Sequence, residues 1–356
     1  MTAVETSTAV RALDTLAREL AERHPEIEVW PASTETIRYG HDAGTAPRAS
    51  ALDRDATPDG DTSGPAVAFP TSVEQVQALV RAAADLGVTV VPRGAGSGLS
   101  GGATAHGHQL VVSVERLDCI TEVSPLDEVA VVEPGVINAA LNEHLAPYGL
   151  FYAPDPASWE ISTIGGNIAT NAGGLRCAKY GVTRESILAL DVVLADGSLI
   201  TVGHRSIKGV TGLDLTSLFV GSEGVLGIVV GATVRLRPIP VARKTLTAFF
   251  DSTEAGTNGL GAITLSSVRP SSIEFFDTTT LAGIDEHSGS DLRERGASLI
   301  LIEIDGYGID EQAADLVAAL TRAGGRARVE TDADAVRLWE PAATRPGLPR
   351  VSLVHR

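Results

Sequence analysis

Cysteine is nearly missing from this chain of 356 residues, and its two representatives, Cys119 and Cys177, cannot build the disulfide framework of a small secreted scaffold. A reduced, cytoplasmic setting is the expected reading, with both thiols expected as buried small hydrophobes. Basic side chains are also in deficit: 28 Lys and Arg against 45 Asp and Glu leave a net charge of −17. That balance opposes binding to nucleic acid or anionic lipid, and an anionic substrate would need a local positive pocket. No charge-free apolar run reaches the roughly 18 residues of a spanning helix. Even Leu218 to Leu236 contains Glu223, Arg235 and five glycines or serines. No integral membrane segment is expected, although peripheral attachment stays open. The N-terminus mixes Glu5, Arg11 and Asp14 with apolar residues, so no secretory signal is expected either.

What is present suits a folded protein of about two domains, with 44% hydrophobic and 21% charged residues. Val10, Leu13, Leu16, Ala17 and Leu20 recur at helical spacing and predict an amphipathic docking helix. Residues 43–64 lack apolar periodicity and read as a connector, which sets a first boundary near Gly64. A strand (AVAFP), a helix (72–87) opened by a Ser72/Gln75 box and a strand (VTVVP) follow. Further strands are predicted at 110–114, 129–132, 187–194 and 199–202, with a helix at 136–146 and a tight hairpin at Ala195-Asp196-Gly197-Ser198. After Pro238 the rhythm becomes βαββαβ, a ferredoxin-like order that marks a second domain. The expected division is therefore 1–63, 64–240 and 241–356, the last stretch from Pro341 having no pattern of a folded end.

Glycine, at 37 residues, is concentrated in PRGAGSGLSGG (92–102), STIGGNIATNAGG (162–174) and GSEGVLGI (221–228). Without a Cβ, successive backbone N–H groups can turn inward around an anion, and a diphosphate is the natural guest. Tight turns alone could explain any one loop. Gly96, Gly98 and Gly101 spell GxGxxG after a strand, but a Rossmann site needs a helix directly behind it, and residues 103–109 are too few for one. Glu115, near the acidic offset of that motif, is therefore discounted. The same missing helix argues against Ser100 as the nucleophile of GxSxG. His106 and His108 lack the further ligands of a metal cage, and no metal site is expected.

PRGAGSGLSGG, Pro154-Asp155-Pro156, IGGNIATNAGG, Lys179-Tyr180-Gly181, KGVTGLDLTSLFVGSEGVLGI and RLRP, in this order, resemble the FAD-linked oxidases of the vanillyl-alcohol-oxidase and p-cresol-methylhydroxylase type. The D-lactate and glycolate dehydrogenase branch (glycolate oxidase FAD subunit) is the most similar. The resemblance covers about 66–238. It implies an α+β fold: a PCMH-type FAD-binding domain of two α+β subdomains, then a ferredoxin-like α+β cap that is incomplete here. It also implies that FAD is held without a covalent bond, because Ser97 stands where some relatives carry a linking histidine. Arg93, Gly94, Ala95, Gly96, Ser97 and Gly98 would wrap the diphosphate with backbone N–H groups, and the flanking Pro92 and Leu99 would be further cofactor-binding residues. Pro154, Asp155, Ser162, Thr163, Gly165, Gly166 and Asn167 would line the path from adenosine to flavin, completed by Asn171, Gly173, Gly174 and Gly181. Glu223, Gly224 and Ile228 would meet the ribose and adenine end.

The implied chemistry is hydride transfer from a 2-hydroxy acid such as D-lactate or glycolate to the flavin, yielding the 2-oxo acid. No catalytic residue is assigned, and Arg269 is as readily a surface arginine as a carboxylate clamp. The electron acceptor (an iron–sulfur subunit, a quinone, a cytochrome or oxygen) and a homo-oligomeric state stay open. Relatives carry a later GHxGDGNxH-like segment that this sequence lacks, so the expectation is a scaffold whose catalytic C-terminal part is missing. An FAD-binding subunit of a larger dehydrogenase, or an inactive remnant, is the alternative.

Overall fold

A computed structural model describes residues 3–44, 64–206 and 208–343. Most of the expected connector and the end of the chain lie outside the described residues. Two compact units emerge. The first comprises Met1–Tyr152, Ser158–Ala172 and Thr183–Arg237; the second comprises Ala153–Ala157, Gly173–Val182 and Pro238–Arg356. The main change of unit falls between Arg237 and Pro238. The two short excursions at 153–157 and 173–182 were not foreseen.

The first unit opens with α1 (Ala3–Arg23), β1 (Glu28–Trp30), β2 (Ala66–Phe69), α2 (Val73–Leu86), β3 (Val90–Arg93) and β4 (Leu110–Ser113). The strands form a sheet in the order β1-β2-β4-β3, with β1 antiparallel to β2 and the other pairs parallel. Every residue of β2 and β4 is buried, as happens when both faces of a parallel sheet are covered. Leu13, Leu16 and Leu20 of α1 and Val76, Leu79 and Val80 of α2 share one core with this sheet. The N-terminal helix is thus built into the first unit. Ser72 caps α2 through the Gln75 N–H (3.3 Å), and Gln75 Oε1 accepts back from the Thr71 N–H (2.7 Å). Such a cap contributes about 1 kcal/mol. On the other face Trp30, Tyr39 and Phe69 pack edge to face, holding the 3-10 helix Thr34–Gly40 against the sheet. β3 and β4 are joined directly by the long glycine loop, with no crossover helix, as the spacing predicts.

The same unit contains β5 (Ile120–Ser124), β6 (Val129–Val132), α3 (Asn138–Leu145), the two-residue β7 (Leu150–Phe151), α4 (Ile164–Thr170), β8 (Ile187–Val193), β9 (Leu199–Gly203) and β10 (Ile228–Arg235). An antiparallel sheet runs β5-β6-β10-β8-β9. Leu141 and Leu145 of α3 and Ile164 and Ile168 of α4 pack onto Val132, Leu190, Val192 and Val234. The expected hairpin joins β8 to β9, with Gly197 at φ +76°. Cys119, just before β5, is exposed and Cys177 is half-buried, against the expectation of two buried thiols. The sequence reading names neither β5 nor β10. β5 carries the exposed, polar Thr121 and Glu122; β10 alternates correctly at Ile228, Val230, Ala232 and Val234 but follows a glycine loop and shifts register at Gly231.

In the second unit, after β11 (Arg237–Pro238), come β12 (Arg243–Phe250), β13 (Ser272–Phe276), β14 (Ser298–Asp305) and β15 (Arg326–Val329). Their antiparallel order β13-β14-β12-β15 is the ferredoxin-like arrangement expected from the βαββαβ rhythm. Successive side chains alternate faces. Leu246, Ala248, Phe250, Ile300, Ile302 and Ile304 pack under the helices Thr253–Thr264 and Ile309–Arg322. Phe249, Leu299 and Leu301 meet Leu281, Leu292 and Trp339 on the opposite face.

Candidate functional site: an amide-lined glycine loop

The loop between β3 and β4 is held from one side. Two of its carbonyls are taken: the Ala43 N–H donates to Gly96 O (3.0 Å) and the Gly44 N–H to Gly98 O (3.1 Å). The buried Asp42 accepts the Gly101 N–H at 2.6 Å and the Gly44 N–H at 3.0 Å. From Gly94 through Ser100, no backbone N–H has an acceptor among the described residues. Satisfied carbonyls and unpaired amides on one glycine loop make a nest that an anion can fill. Such a row of donors would otherwise depend on water.

Arg93 stands at the loop's entrance, but its guanidinium turns inward. It is only 9% exposed and donates to His41 O (2.8 Å), Arg38 O (3.2 Å) and Tyr39 O (3.4 Å), with its centre 5.5 Å from the Tyr39 ring centroid. The side chain therefore braces the loop. Burial lowers the Arg93 pKa, while Tyr39, Asp42 and Glu115 oppose the shift.

The other glycine motifs of the first unit converge on this loop. A Cβ at Gly94 would run into Thr163 Oγ1 and stand 3.4 Å from Gly166 N, and one at Gly224 would lie 3.2 Å from Pro92. One at Gly102 would strike the Glu223 carboxylate. Glu223 itself has φ +53° and donates its N–H to Ala169 O at 2.9 Å. Thr163 caps α4 through the Gly166 N–H (3.2 Å), and Gly165 packs so tightly that its Cβ would sit 2.5 Å from Pro134. Asn171 ends α4 at φ +48° and accepts the Arg184 N–H at 3.0 Å. Gly94 thus neighbours Thr163 and Gly166, and Pro92 and Gly102 neighbour Gly224 and Glu223. Ile228 is buried in the core of the first sheet.

Ser162 Oγ and Asn167 Nδ2 are buried without a partner among the described residues. Leaving such groups unmatched costs about 1–3 kcal/mol each, so they are suited to a ligand's acceptors and donors. A cavity of about 380 Å³ is lined by Ala95, Glu115, Asp118, Ile120, Val136, Ile137 and Thr163, among others. Residues 134–138 reach it by pairing with 162–165: Asn138 N–H to Ser162 O, Ile164 N–H to Val136 O and Gly165 N–H to Pro134 O. Sequence reasoning missed Asp118, Val136 and Ile137 and set Glu115 aside. No local motif marks them, since Glu115's offset behind GxGxxG has meaning only with the crossover helix that this loop lacks. Carboxylates at such a place can accept from ribose hydroxyls. His106 and His108 stack with ring centroids 5.9 Å apart.

Pro154, Asp155, Gly173, Gly174 and Gly181 belong to the second unit. A Cβ at Gly174 would land on the Asp155 carbonyl, and Gly181 has φ +81°. Asp155 accepts the Arg176 N–H at 3.0 Å, with the Arg176 Nε 3.6 Å away. Burial pushes its carboxyl up to about 6, Arg176 pulling the other way. Lys179 and Tyr180 both bond the buried Asp305 carboxylate, and the Tyr180 hydroxyl donates at 2.8 Å. Burial, then Asp305, raises the Tyr180 pKa. Arg269 Nη1 is occupied by Ser266 O and Val268 O.

The FAD binding domain family matches residues 65–203, and the C-terminal domain of FAD linked oxidases matches 239–346. The chain belongs to the FAD-linked oxidases. Glycolate oxidase subunit GlcD of Bacillus subtilis (strain 168) is 38% identical over 278 residues, 78% of this chain and 59% of that protein. GlcD of Escherichia coli (strain K12) is 34% identical over 324 residues, 90% of this chain and 62% of that protein. D-lactate dehydrogenase of Archaeoglobus fulgidus is 34% identical over 255 residues, covering 71% and 57% of the two chains. The chain thus spans about three-fifths of the length of these relatives. Among solved structures, alkyldihydroxyacetonephosphate synthase superposes with a TM-score of 0.75 at 20% identity, covering 93% of this chain and 62% of that one. p-Cresol methylhydroxylase superposes with a TM-score of 0.66 at 18% identity, covering 94% and 67%. These share the fold, and the cofactor of this FAD-linked oxidase is FAD. Free loop amides, two orphaned buried polar atoms and a cavity with carboxylates fit a nucleotide carrying a diphosphate.

Proposed function

We propose that this FAD-linked oxidase oxidises a 2-hydroxy acid to the 2-oxo acid. The observation that carries the proposal is the nest at 94–100, built on a chain whose relatives are named glycolate oxidase subunit, D-2-hydroxyglutarate dehydrogenase and D-lactate dehydrogenase. In this reading the amides of Gly94 to Leu99 hold the diphosphate, and Ser162 and Asn167 supply the donors and acceptors that lack partners inside the fold. Glu115 and Asp118 accept from ribose hydroxyls in the adjoining cavity. Ser97 offers no imidazole, so the cofactor is held without a covalent link. When bound, FAD supplies the hydride acceptor. The chain's contribution is to fix and desolvate it.

Anaerobic addition of D-lactate, glycolate or D-2-hydroxyglutarate to the yellow protein tests the reading. Bleaching of the flavin band by one of these acids is expected. A bound flavin that none of them bleaches favours the second reading, an FAD-carrying subunit that relies on a partner chain. The word subunit in the GlcD names supports that alternative.

A further inference from the structure

We propose that Asp42, with the strap His41 to Gly44, is the positioning element that sets the glycine loop in its FAD-receptive form. The inference rests on FAD as the guest of that loop. These residues precede the matched FAD binding span of 65–203 and straddle the start, at residue 43, of what reads as a connector.

A glycine loop is intrinsically adaptable, so its amides converge only if something orders it. The strap does this by taking what faces away from the nest. Ala43 and Gly44 donate to the carbonyls of Gly96 and Gly98, orienting the intervening peptides so that their N–H groups stay free. Asp42, 3% exposed, fastens the far end through Gly101 N–H and the strap through Gly44 N–H. Gly44 fits without a side chain only: a Cβ there would lie 2.6 Å from the Leu99 carbonyl carbon. The strap is anchored in turn by Arg93, which binds the carbonyls of Arg38 and His41, and by Gly40 O, which accepts the Ala105 N–H at 3.2 Å. A buried carboxylate next to an anion site would oppose the anion unless saturated by donors. Its amide partners and the nearby Arg93 charge supply that compensation.

The test compares wild type, Asp42→Asn and Gly44→Ala as purified full chains stripped of flavin. FAD affinity is read by fluorescence quenching at a temperature where circular dichroism shows all three folded, and amide hydrogen exchange is followed across 94–101. Asparagine keeps one acceptor oxygen and loses the charge, so Asp42→Asn is expected to weaken FAD by about tenfold. Gly44→Ala, which displaces the loop without touching the carboxylate, is expected to weaken it at least as much. Exchange at Gly101 should quicken in the flavin-free Asp42→Asn chain. A residue of merely structural importance would lower melting temperature and leave affinity of the folded protein unchanged. If both variants bind FAD within twofold of wild type, the strap has no positioning role, while the FAD reading stands. If wild type itself takes up no FAD, both fall.

Discussion

Replacing Gly94 by alanine perturbs the site at its narrowest point. The new methyl would occupy the place of Thr163 Oγ1 while remaining at ordinary contact distance, 3.4 and 3.5 Å, from Gly166 N and Cα. The obstacle is therefore one hydroxyl, and that hydroxyl caps α4 at 3.2 Å from the Gly166 N–H. Rotating it away forfeits the cap, about 1 kcal/mol, and forces a buried side chain off its preferred rotamer, about another 1 kcal/mol. Gly94→Ala should then cost about 2 kcal/mol, and Thr163→Ala, which only loses the cap, about 1 kcal/mol. Because Thr163→Ala removes the obstacle, the double variant should cost little more than Thr163→Ala alone, a coupling of roughly 1–2 kcal/mol. Urea unfolding of the four proteins measures it. Additivity within about 0.5 kcal/mol would refute the claim that Gly94 is glycine because of Thr163.

Arg93→Met should destabilise the protein by roughly 2–4 kcal/mol, because a buried side chain's bonds to the carbonyls of Arg38, Tyr39 and His41 disappear together. A loss below about 0.5 kcal/mol in urea unfolding would show that the brace is dispensable. Asp155, raised to about 6, holds its proton in the folded protein at pH values where the unfolded chain has released it. Its contribution is complete below the ordinary aspartate value near ~4 and is lost as pH rises through about 6, roughly 2–3 kcal/mol in all. Asp155→Asn should flatten that part of the stability curve between pH 4 and 6 (roughly), and an unchanged slope would reject the assignment.

The chain's rhythm made much of this architecture legible. The βαββαβ run after Pro238 became the sheet β13-β14-β12-β15, and the capped helix after Ser72 lies where its box predicts. The three glycine loops announced an anion cradle because glycine density is a local signal. What stayed hidden depends on distant partners. Asp42 stands just before the aperiodic stretch 43–64, and only folding brings its carboxylate to Gly101, 59 residues away. Val136 and Ile137 read as the start of a helix and instead pair with 162–164 to line the cavity. Arg93 reads as part of the loop's backbone cradle, and nothing local in the sequence announces that its guanidinium is turned into the fold as a brace. Chain order also concealed that 153–157 and 173–182 join the second unit.

Calorimetric titration of the flavin-free protein with FAD and, in parallel, with ADP and adenosine tests the central claim most directly, since adenosine differs from ADP only by the diphosphate. If the amides from Gly94 to Ser100, unpaired among the described residues, grip a diphosphate, FAD binds at one equivalent per chain and adenosine is held at least about a hundredfold more weakly than ADP, several charge-assisted hydrogen bonds having been lost. Equal affinities, or no uptake of FAD, would contradict it.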